Sequence, residues 1–455
     1  MGNVSQFTTK ADLKQEYLRK LVSADEAVKV VKSGDNVHLG GFGGICRDLE
    51  AALARRVDEL EDVTLYSTLW SLPGSYKTLE ADKTGKHFKL FSTHMSKKDR
   101  VINKRGQAWF VPILFHEGNK NYRENYDINV AFIMTGPIDK HGNFNLGITN
   151  AECKGIMDNA DIVILEANRA MPRCHGLDQM VNISEVDYVV DADYPLPELP
   201  IREPKPEEAK IAEYILPLIE DGACLQLGIG AIPNHLGELI NQTDLGNFSV
   251  HTEMLVDSFV DMYEAGKITG NKSRDRGKMV YTFALGTKKL YDFLDDNPIC
   301  CSGPVDYVND MNVIGSIDKM VSVNACLQID LYGQVNAESI GPLHISGTGG
   351  MLDFVEGAFM SEGGKSIICT PSTKTLKDGT RESLILPFMQ PGSIVSCPRA
   401  SVMYLVTEYG IAYMKGKSTW QRAEEIINLA HPDYREDLIK AAEKQGIWRQ
   451  SSKLI

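Results

Sequence analysis

The chain has 455 residues, a formal net charge of −13 and 43% apolar residues. This length favours two domains over one, and that apolar share is enough to fill two cores. The acidic balance argues against an electrostatic nucleic-acid binder, but it leaves room for a phosphorylated ligand held at a local basic or N–H-rich spot. Residues 1–19 are polar with no apolar core segment, so no signal peptide is expected. No run approaches the ~18 apolar residues of a membrane span. The nine cysteines are scattered and odd in number, which reads as reduced thiols in a cytoplasmic protein. Neither Cys-x-x-Cys nor His-Glu-x-x-His occurs, so no metal site is expected.

In chain order, the first glycine-rich turn is Gly40-Gly41-Phe42-Gly43-Gly44, at the end of a strand-like run. A helix is expected over 49–60, and strands over 128–134 and 162–165. Five prolines within 195–206 then favour an extended connector. The expected domains are therefore 1–194 and 207–455, joined by 195–206. Beyond the connector come a helix over 207–219, a strand over 223–227, a second strand over 248–251 and a third over 366–370. Ser418 and Gln421 form a capping box for a last helix over 419–429.

The two halves echo each other. Ser33-Gly34-Asp35-Asn36-Val37-His38-Leu39-Gly40 parallels Asp221-Gly222-Ala223-Cys224-Leu225-Gln226-Leu227-Gly228, an offset of 228 − 40 = 188. Asp139-Lys140-His141-Gly142-Asn143 parallels Asp330-Leu331-Tyr332-Gly333-Gln334, an offset of 330 − 139 = 191. Two echoes in the same order at nearly equal offsets imply an internal duplication. With strands alternating with helices, the fold class is α/β: two similar open domains with mostly parallel sheets.

The most informative stretch is 225–254. An apolar strand runs into Gly228-Ile229-Gly230-Ala231-Ile232, and Pro233 suits the first position of a helix. The next strand ends two residues before Glu253. Parallel neighbours joined in this way put the glycine turn and Glu253 at the same sheet edge, where open α/β sheets bind ligands. A carboxylate beside N–H groups able to hold phosphate or pantetheine suits covalent catalysis. The same turn also looks like a dinucleotide fingerprint, with Pro233 in place of the third glycine and Glu253 as a ribose-binding acid. Spacing alone leaves both readings open. Gly347, Gly349 and Gly350 crowd a second loop, suited either to close ligand approach or to a sharp turn. Lys365 is either a phosphate partner or an ordinary exposed lysine. The 40–44 turn either lines the cleft or is a relic of the duplication. Cys300 and Cys301 are adjacent, which rarely suits a disulfide. The histidines show no metal spacing, and His235 and His251 either orient the site or fill structural roles.

These motifs together resemble the family I CoA-transferases, within the 4-hydroxybutyrate and butyryl-CoA:acetate group. The resemblance runs through 228–233, His251-Thr252-Glu253-Met254, 330–336 with Glu338-Ser339-Ile340-Gly341, Ser346 to Phe354, Val406-Thr407-Glu408-Tyr409-Gly410-Ile411-Ala412, and Ala430-His431-Pro432-Asp433. It implies two α/β domains, with CoA held mainly by the second and the acyl pocket shaped by the first. It implies that Glu253 is the nucleophile and that Gly228, Ile229, Gly230, Ala231 and Ile232 contact CoA. It extends CoA contact to Asn324, Gly347, Gly349, Gly350, Met351 and Lys365. Many relatives carry glutamine where this chain has Met351, which places an apolar group next to the expected thioester. The first half, with Thr93-His94-Met95-Ser96, matches less closely. The resemblance further implies transfer of CoA from a short-chain acyl-CoA to acetate or a similar acid through a glutamyl-CoA thioester. The resemblance also implies no permanently bound cofactor, CoA being a substrate, and a homo-oligomeric state; neither nucleic-acid nor membrane binding is expected. The alternatives are an acyl-CoA hydrolase using the same glutamate, a non-catalytic acyl-CoA-binding protein and, less consistent with Pro233 and the carboxy-terminal motifs, a nicotinamide-dependent oxidoreductase.

Overall fold

A computed structural model describes residues 10–70 and 76–449. Half of the amino-terminal stretch weighed for a signal peptide, residues 1–9, lies outside them. Among the described residues no helix is long and apolar enough to cross a membrane, and no group of His, Cys, Asp and Glu side chains is placed to hold a metal ion. All nine cysteines are free, Cys300 and Cys301 included.

The chain forms two compact units, one of residues 1–199 and 280–308, the other of 200–279 and 309–455. The first boundary falls inside the proline-rich stretch. Residues 280–308 differ from the contiguous division expected from sequence, because they pack with the first unit. Nothing in their composition marks them, since the cut is made by tertiary contacts rather than by a linker.

The first unit is built on seven strands: β1 (Asn36–Gly41), β2 (Val63–Thr68), β3 (Phe88–Ser92), β4 (Ala108–Phe110), β5 (Ile128–Thr135), β6 (Ala160–Asn168) and β7 (Tyr188–Ala192). They lie in the order β4-β3-β2-β1-β5-β6-β7, and every pairing is parallel. In the second unit β8 (Cys224–Leu227), β9 (Ser249–His251), β10 (Met320–Ala325), β11 (Lys365–Cys369), β12 (Tyr404–Thr407) and β13 (Gly410–Tyr413) follow the order β9-β8-β10-β11-β12-β13. These too are parallel except the final hairpin pair. In both units the first strand is internal: its successor lies on one side and a later strand on the other. That is a topological switch point, which opens a crevice at the carboxyl ends of the strands. The strands read as continuous apolar runs because helices cover parallel sheets on both faces; β8 is buried at all four positions.

The sequence echoes have a structural cause in turn chemistry. Asp139 Oδ1 accepts from the N–H groups of His141 and Asn143, and Asp330 Oδ1 accepts from those of Tyr332 and Gln334. Gly142 and Gly333 then take φ of 84° and 82°, a left-handed conformation that suits glycine. An aspartate that organises the loop and a glycine that turns it recur together.

The helices include α1 (Arg47–Ala54) in the first unit, and α2 (Pro206–Ile215), α3 (Ala231–Asn241), α4 (Asp257–Glu264), α5 (Met311–Gly315), α6 (Met351–Met360) and α7 (Thr419–Leu429) in the second. The Ser418–Gln421 capping box opens α7, whose Ala423, Ile426 and Ile427 enter the second unit's core beside Val355, Ile368 and Leu405. Helix α1 starts two residues before the expected 49–60 and ends at Ala54, while α2 passes into a 3-10 turn at Leu216–Leu218. Pro233 is the third residue of α3 rather than its first. Proline is tolerated there because first-turn N–H groups have no intrahelical partner.

Candidate active site

Strand β8 ends at Leu227, and the chain turns through Gly228, Ile229 and Gly230 into α3. Gly230 takes φ of 120°, and a Cβ there would meet nothing within 4 Å. The Ile229 side chain is exposed. The turn is therefore shaped by backbone conformation and open on its outer side, above the unpaired N–H groups of the first turn of α3. The first-half turn is built differently. A Cβ on Gly40 would lie 2.3 Å from the Gly44 carbonyl oxygen, and one on Gly43 would lie 2.6 Å from Ile148 Cδ1. Phe42 stacks on Phe283 with ring centroids 3.9 Å apart. Glycines 40–44 are thus packed against their own unit. Nearby, Ser96 of the 93–96 stretch caps a helix, in a reciprocal box with Asp99.

Glu253 follows β9, which pairs with β8 in register Cys224–Ser249 and Leu225–Val250. The glycine turn and Glu253 thus leave adjacent strands at their carboxyl ends. The Glu253 carboxylate is held at two points. Asn309 Nδ2 donates to its Oε2 at 2.8 Å, and the Gly350 N–H donates to it as well. The fit around Gly350 is tight, since a Cβ there would lie 1.9 Å from Glu253 Oε2 and 2.2 Å from Asn309 Nδ2. Burial pushes the Glu253 pKa up to about 7; the Asn309 bond opposes this, the negative Asp353 adds to it, and the Gly350 N–H opposes it. A carboxylate poised near neutral pH is more basic than an ordinary one, and about half of it is ionised at pH 7.

The remaining expected residues divide between two edges of the sheet. Asn324 stands near the carboxyl end of β10, next to β8, where its amide donates to Gln226 Oε1 at 3.2 Å. Gly347, Gly349 and Gly350 form the loop entering α6, with Gly349 at φ of 54°. Met351 opens α6 and packs against the second unit's core. Lys365 is not brought to this edge. It is the first residue of β11, at the amino end of a strand parallel to β10. Its ammonium donates to the Leu218 carbonyl at 2.9 Å and to Glu220 Oε1 at 2.7 Å. Both of those partners belong to the segment before β8, which explains how an apparently free lysine is used structurally. His251 is buried, and His235 bonds Glu238 within α3.

Two side chains beside Glu253 are not singled out by the sequence, Asn309 and Asp353. Asn309 lies where the chain re-enters the second unit, with no motif around it. Asp353 sits inside the quoted 346–354 motif, and an acid at the third position of a helix after a glycine run is a recognisable pattern. Its burial at 1% exposure is what separates it from an ordinary cap.

Comparison with known proteins covers both halves of the chain. The N-terminal domain of the acetyl-CoA hydrolase/transferase family matches residues 5–200, and its C-terminal domain matches 286–442. The chain is 48% identical over 450 residues to a probable butyrate:acetyl-CoA coenzyme A-transferase of Syntrophomonas wolfei, covering 97% of this chain and 99% of that protein. It is 47% identical to the butyryl-CoA:acetate CoA-transferase of Anaerostipes caccae, covering 97% and 99% of the two chains. Among solved structures, RipA from Yersinia pestis superposes with a TM-score of 0.88 at 37% identity, covering 96% of this chain and 99% of that one. Full-length matches at this level, on a duplicated α/β scaffold with a half-buried glutamate at the strand edge, place the chain in the acetyl-CoA hydrolase/transferase family.

Proposed function

We propose that the chain is a CoA-transferase, moving CoA from a short-chain acyl-CoA of the butyryl or 4-hydroxybutyryl type to acetate or a similar acid, with Glu253 as nucleophile. The observation that carries this reading is the Glu253 carboxylate itself, gripped by Asn309 and the Gly350 N–H and raised towards neutrality, beside an open glycine turn. The names of the relatives support the choice of substrates.

Glu253 attacks the acyl carbonyl. The C–S bond breaks, leaving an acyl-glutamyl anhydride and the CoA thiolate. The thiolate attacks the glutamyl carbonyl, expels the first acid as its carboxylate and leaves a glutamyl-CoA thioester. A second carboxylate attacks that thioester, and the same steps in reverse release the new acyl-CoA and free Glu253. One thioester is exchanged for another, so no nucleotide hydrolysis is needed. When the glutamyl carbonyl is attacked, negative charge develops on the group that Asn309 Nδ2 and the Gly350 N–H already face. A preorganised donor of this kind contributes ~3 kcal/mol to the transition state. Binding energy from the remote nucleotide and pantetheine, held at 228–232 and by the 347–350 loop, drives the demanding first step.

The test is intact mass spectrometry after exposure to butyryl-CoA without acceptor. The protein gains the mass of CoA as a thioester, releases one acid per site, and peptide mapping places the adduct within 249–256. Borohydride or hydroxylamine then inactivates only the acyl-CoA-treated protein. Added acetate discharges a transferase, whereas discharge by water at the same rate identifies a hydrolase. A preparation active with acetate that forms no adduct removes Glu253 from the nucleophile role.

A further inference from the structure

The Asn309 side-chain amide nitrogen has two hydrogens and meets two carboxylates. Nδ2 lies 2.8 Å from Glu253 Oε2 and 3.2 Å from Asp353 Oδ2. Its carbonyl oxygen Oδ1 is buried with no hydrogen-bond partner among the described residues. An unmet buried acceptor has a cost, and turning the amide over would not relieve it, because Oδ1 would then face two carboxylates, which accept rather than donate. Both carboxylates therefore favour the same amide orientation, and the second holds Nδ2 from a second side. Asp353 is the third residue of α6 and almost wholly buried, where the N–H end of the helix favours its negative charge. Gly350 is the N-cap of the same helix. One helix start therefore supplies both the direct donor to Glu253 and the anchor of the indirect one.

From this arrangement we infer that Asp353 is the positioning residue of the nucleophile: it locks the Asn309 amide so that Nδ2–H stays on the Glu253 carboxylate through the covalent steps. The inference rests on Glu253 being the nucleophile. Its physical content is that the donor needed when charge develops on the glutamyl oxygen does not have to reorganise. A buried carboxylate so close also opposes ionisation of Glu253, which keeps the nucleophile basic. Other titratable groups stand on the surrounding elements: Glu356 of α6 accepts from the Ser401 hydroxyl, and Glu338 from that of Thr348 in the loop before α6. His251 lies on β9 with its ring 6.3 Å from that of Phe354, Asp257 opens α4, and the Asp310 carboxylate accepts from the N–H groups of Asn312 and Val313 of α5.

Two variants of the full-length protein separate the two effects. Asp353→Asn keeps the shape and an acceptor for Asn309 but removes the charge. The acid limb of its kcat/KM profile for butyryl-CoA should move to lower pH by at least about half a unit, with the CoA adduct still formed. Asp353→Ala removes the anchor. Its kcat should fall by at least about tenfold, while the KM for butyryl-CoA stays within about threefold, because the lost interaction belongs to the transition state. A purely structural role would lower the melting temperature and leave the pH limb in place. An unmoved limb in Asp353→Asn together with near-normal kcat in Asp353→Ala overturns the inference. So does failure of both to fold, which would make Asp353 a structural residue. Adduct trapping on the wild-type protein is run alongside. Failure to trap there strikes the Glu253 reading itself, whereas trapping with unchanged Asp353 variants strikes only this one.

Discussion

Gly350→Ala is the sharpest single perturbation of the site. The backbone there has φ of −97°, which alanine adopts without strain, so the effect is steric. The added Cβ would start 1.9 Å from Glu253 Oε2 and 2.2 Å from Asn309 Nδ2. Carbon and oxygen do not approach within about 3 Å without bonding, so the carboxylate has to retreat by roughly 1 Å. The obstructing atoms are the tips of side chains rather than backbone, so the fold should yield cheaply. Glycine is the better N-cap by about 1 kcal/mol, and a displaced carboxylate weakens a charge-assisted bond of about 1.5–3 kcal/mol. Against these, alanine restricts the unfolded chain by about 0.4–1 kcal/mol. The net stability loss should be about 1–3 kcal/mol. Catalysis should suffer more, because a 1 Å misplacement of a reacting group costs about 100-fold. The assay is transfer from butyryl-CoA to acetate, with the trapped adduct and the melting temperature measured on the same preparation. Turnover within about threefold of wild type would show that the carboxylate has no need of its present position. Loss of the folded state would show that the backbone, not Glu253, gives way.

Glu253→Gln should lose transfer and gain stability. The folded-state pKa of Glu253, about 7, stands above its ordinary value of 4.5, so the folded protein holds this proton more tightly than the unfolded chain. Below about pH 4.5 both states carry the proton and the carboxylate imposes no penalty; the penalty grows as pH rises and is complete above about 7. After a discount for partial exposure, the variant should be about 1–3 kcal/mol more stable than wild type at pH 8. The two melting temperatures should converge by pH 4.5, and a difference independent of pH would refute the linkage. At the turn, Gly230→Ala places a Cβ in open space at a φ of 120°, so it combines backbone strain with obstruction of any ligand lying there. Gly410→Ala is the matched control, with φ of 142° and equally open space. If CoA lies on the turn, only Gly230→Ala raises the KM for butyryl-CoA, by about tenfold or more; equal KM values in the two variants would leave 228–230 as a plain turn.

The alternation of apolar strands with amphipathic helices is local, so it is written in the sequence and sets the fold class. The echoes at 33–40 and 221–228 are legible because turn chemistry is local too: glycines 34 and 222 both take positive φ, which few other residues accept. The Ser418–Gln421 box is readable for the same reason. Glu253 could be singled out because adjacent parallel strands carry the glycine turn and the acid to one edge, and that follows from strand order alone. Lys365 shows the limit of the reading. A lysine after two glycines looks available for phosphate, but it begins its strand rather than ends it, and the Glu220 carboxylate takes its charge.

What the sequence by itself determined was therefore the two duplicated α/β halves, the glycine turn and the acid at its edge, because each depends on residues near one another along the chain. Only the tertiary structure decided the rest. It returned residues 280–308 to the first unit, closed the 40–44 turn with packing where 228–230 stays open, and gathered Asn309 and Asp353, 56 and 100 residues further on (309 − 253 and 353 − 253), so that the Asn309 amide bonds both Glu253 and Asp353. The raised proton affinity of Glu253 belongs to this second group. It comes from burial and from a neighbouring carboxylate, and desolvation and charge proximity exist only once the chain has packed.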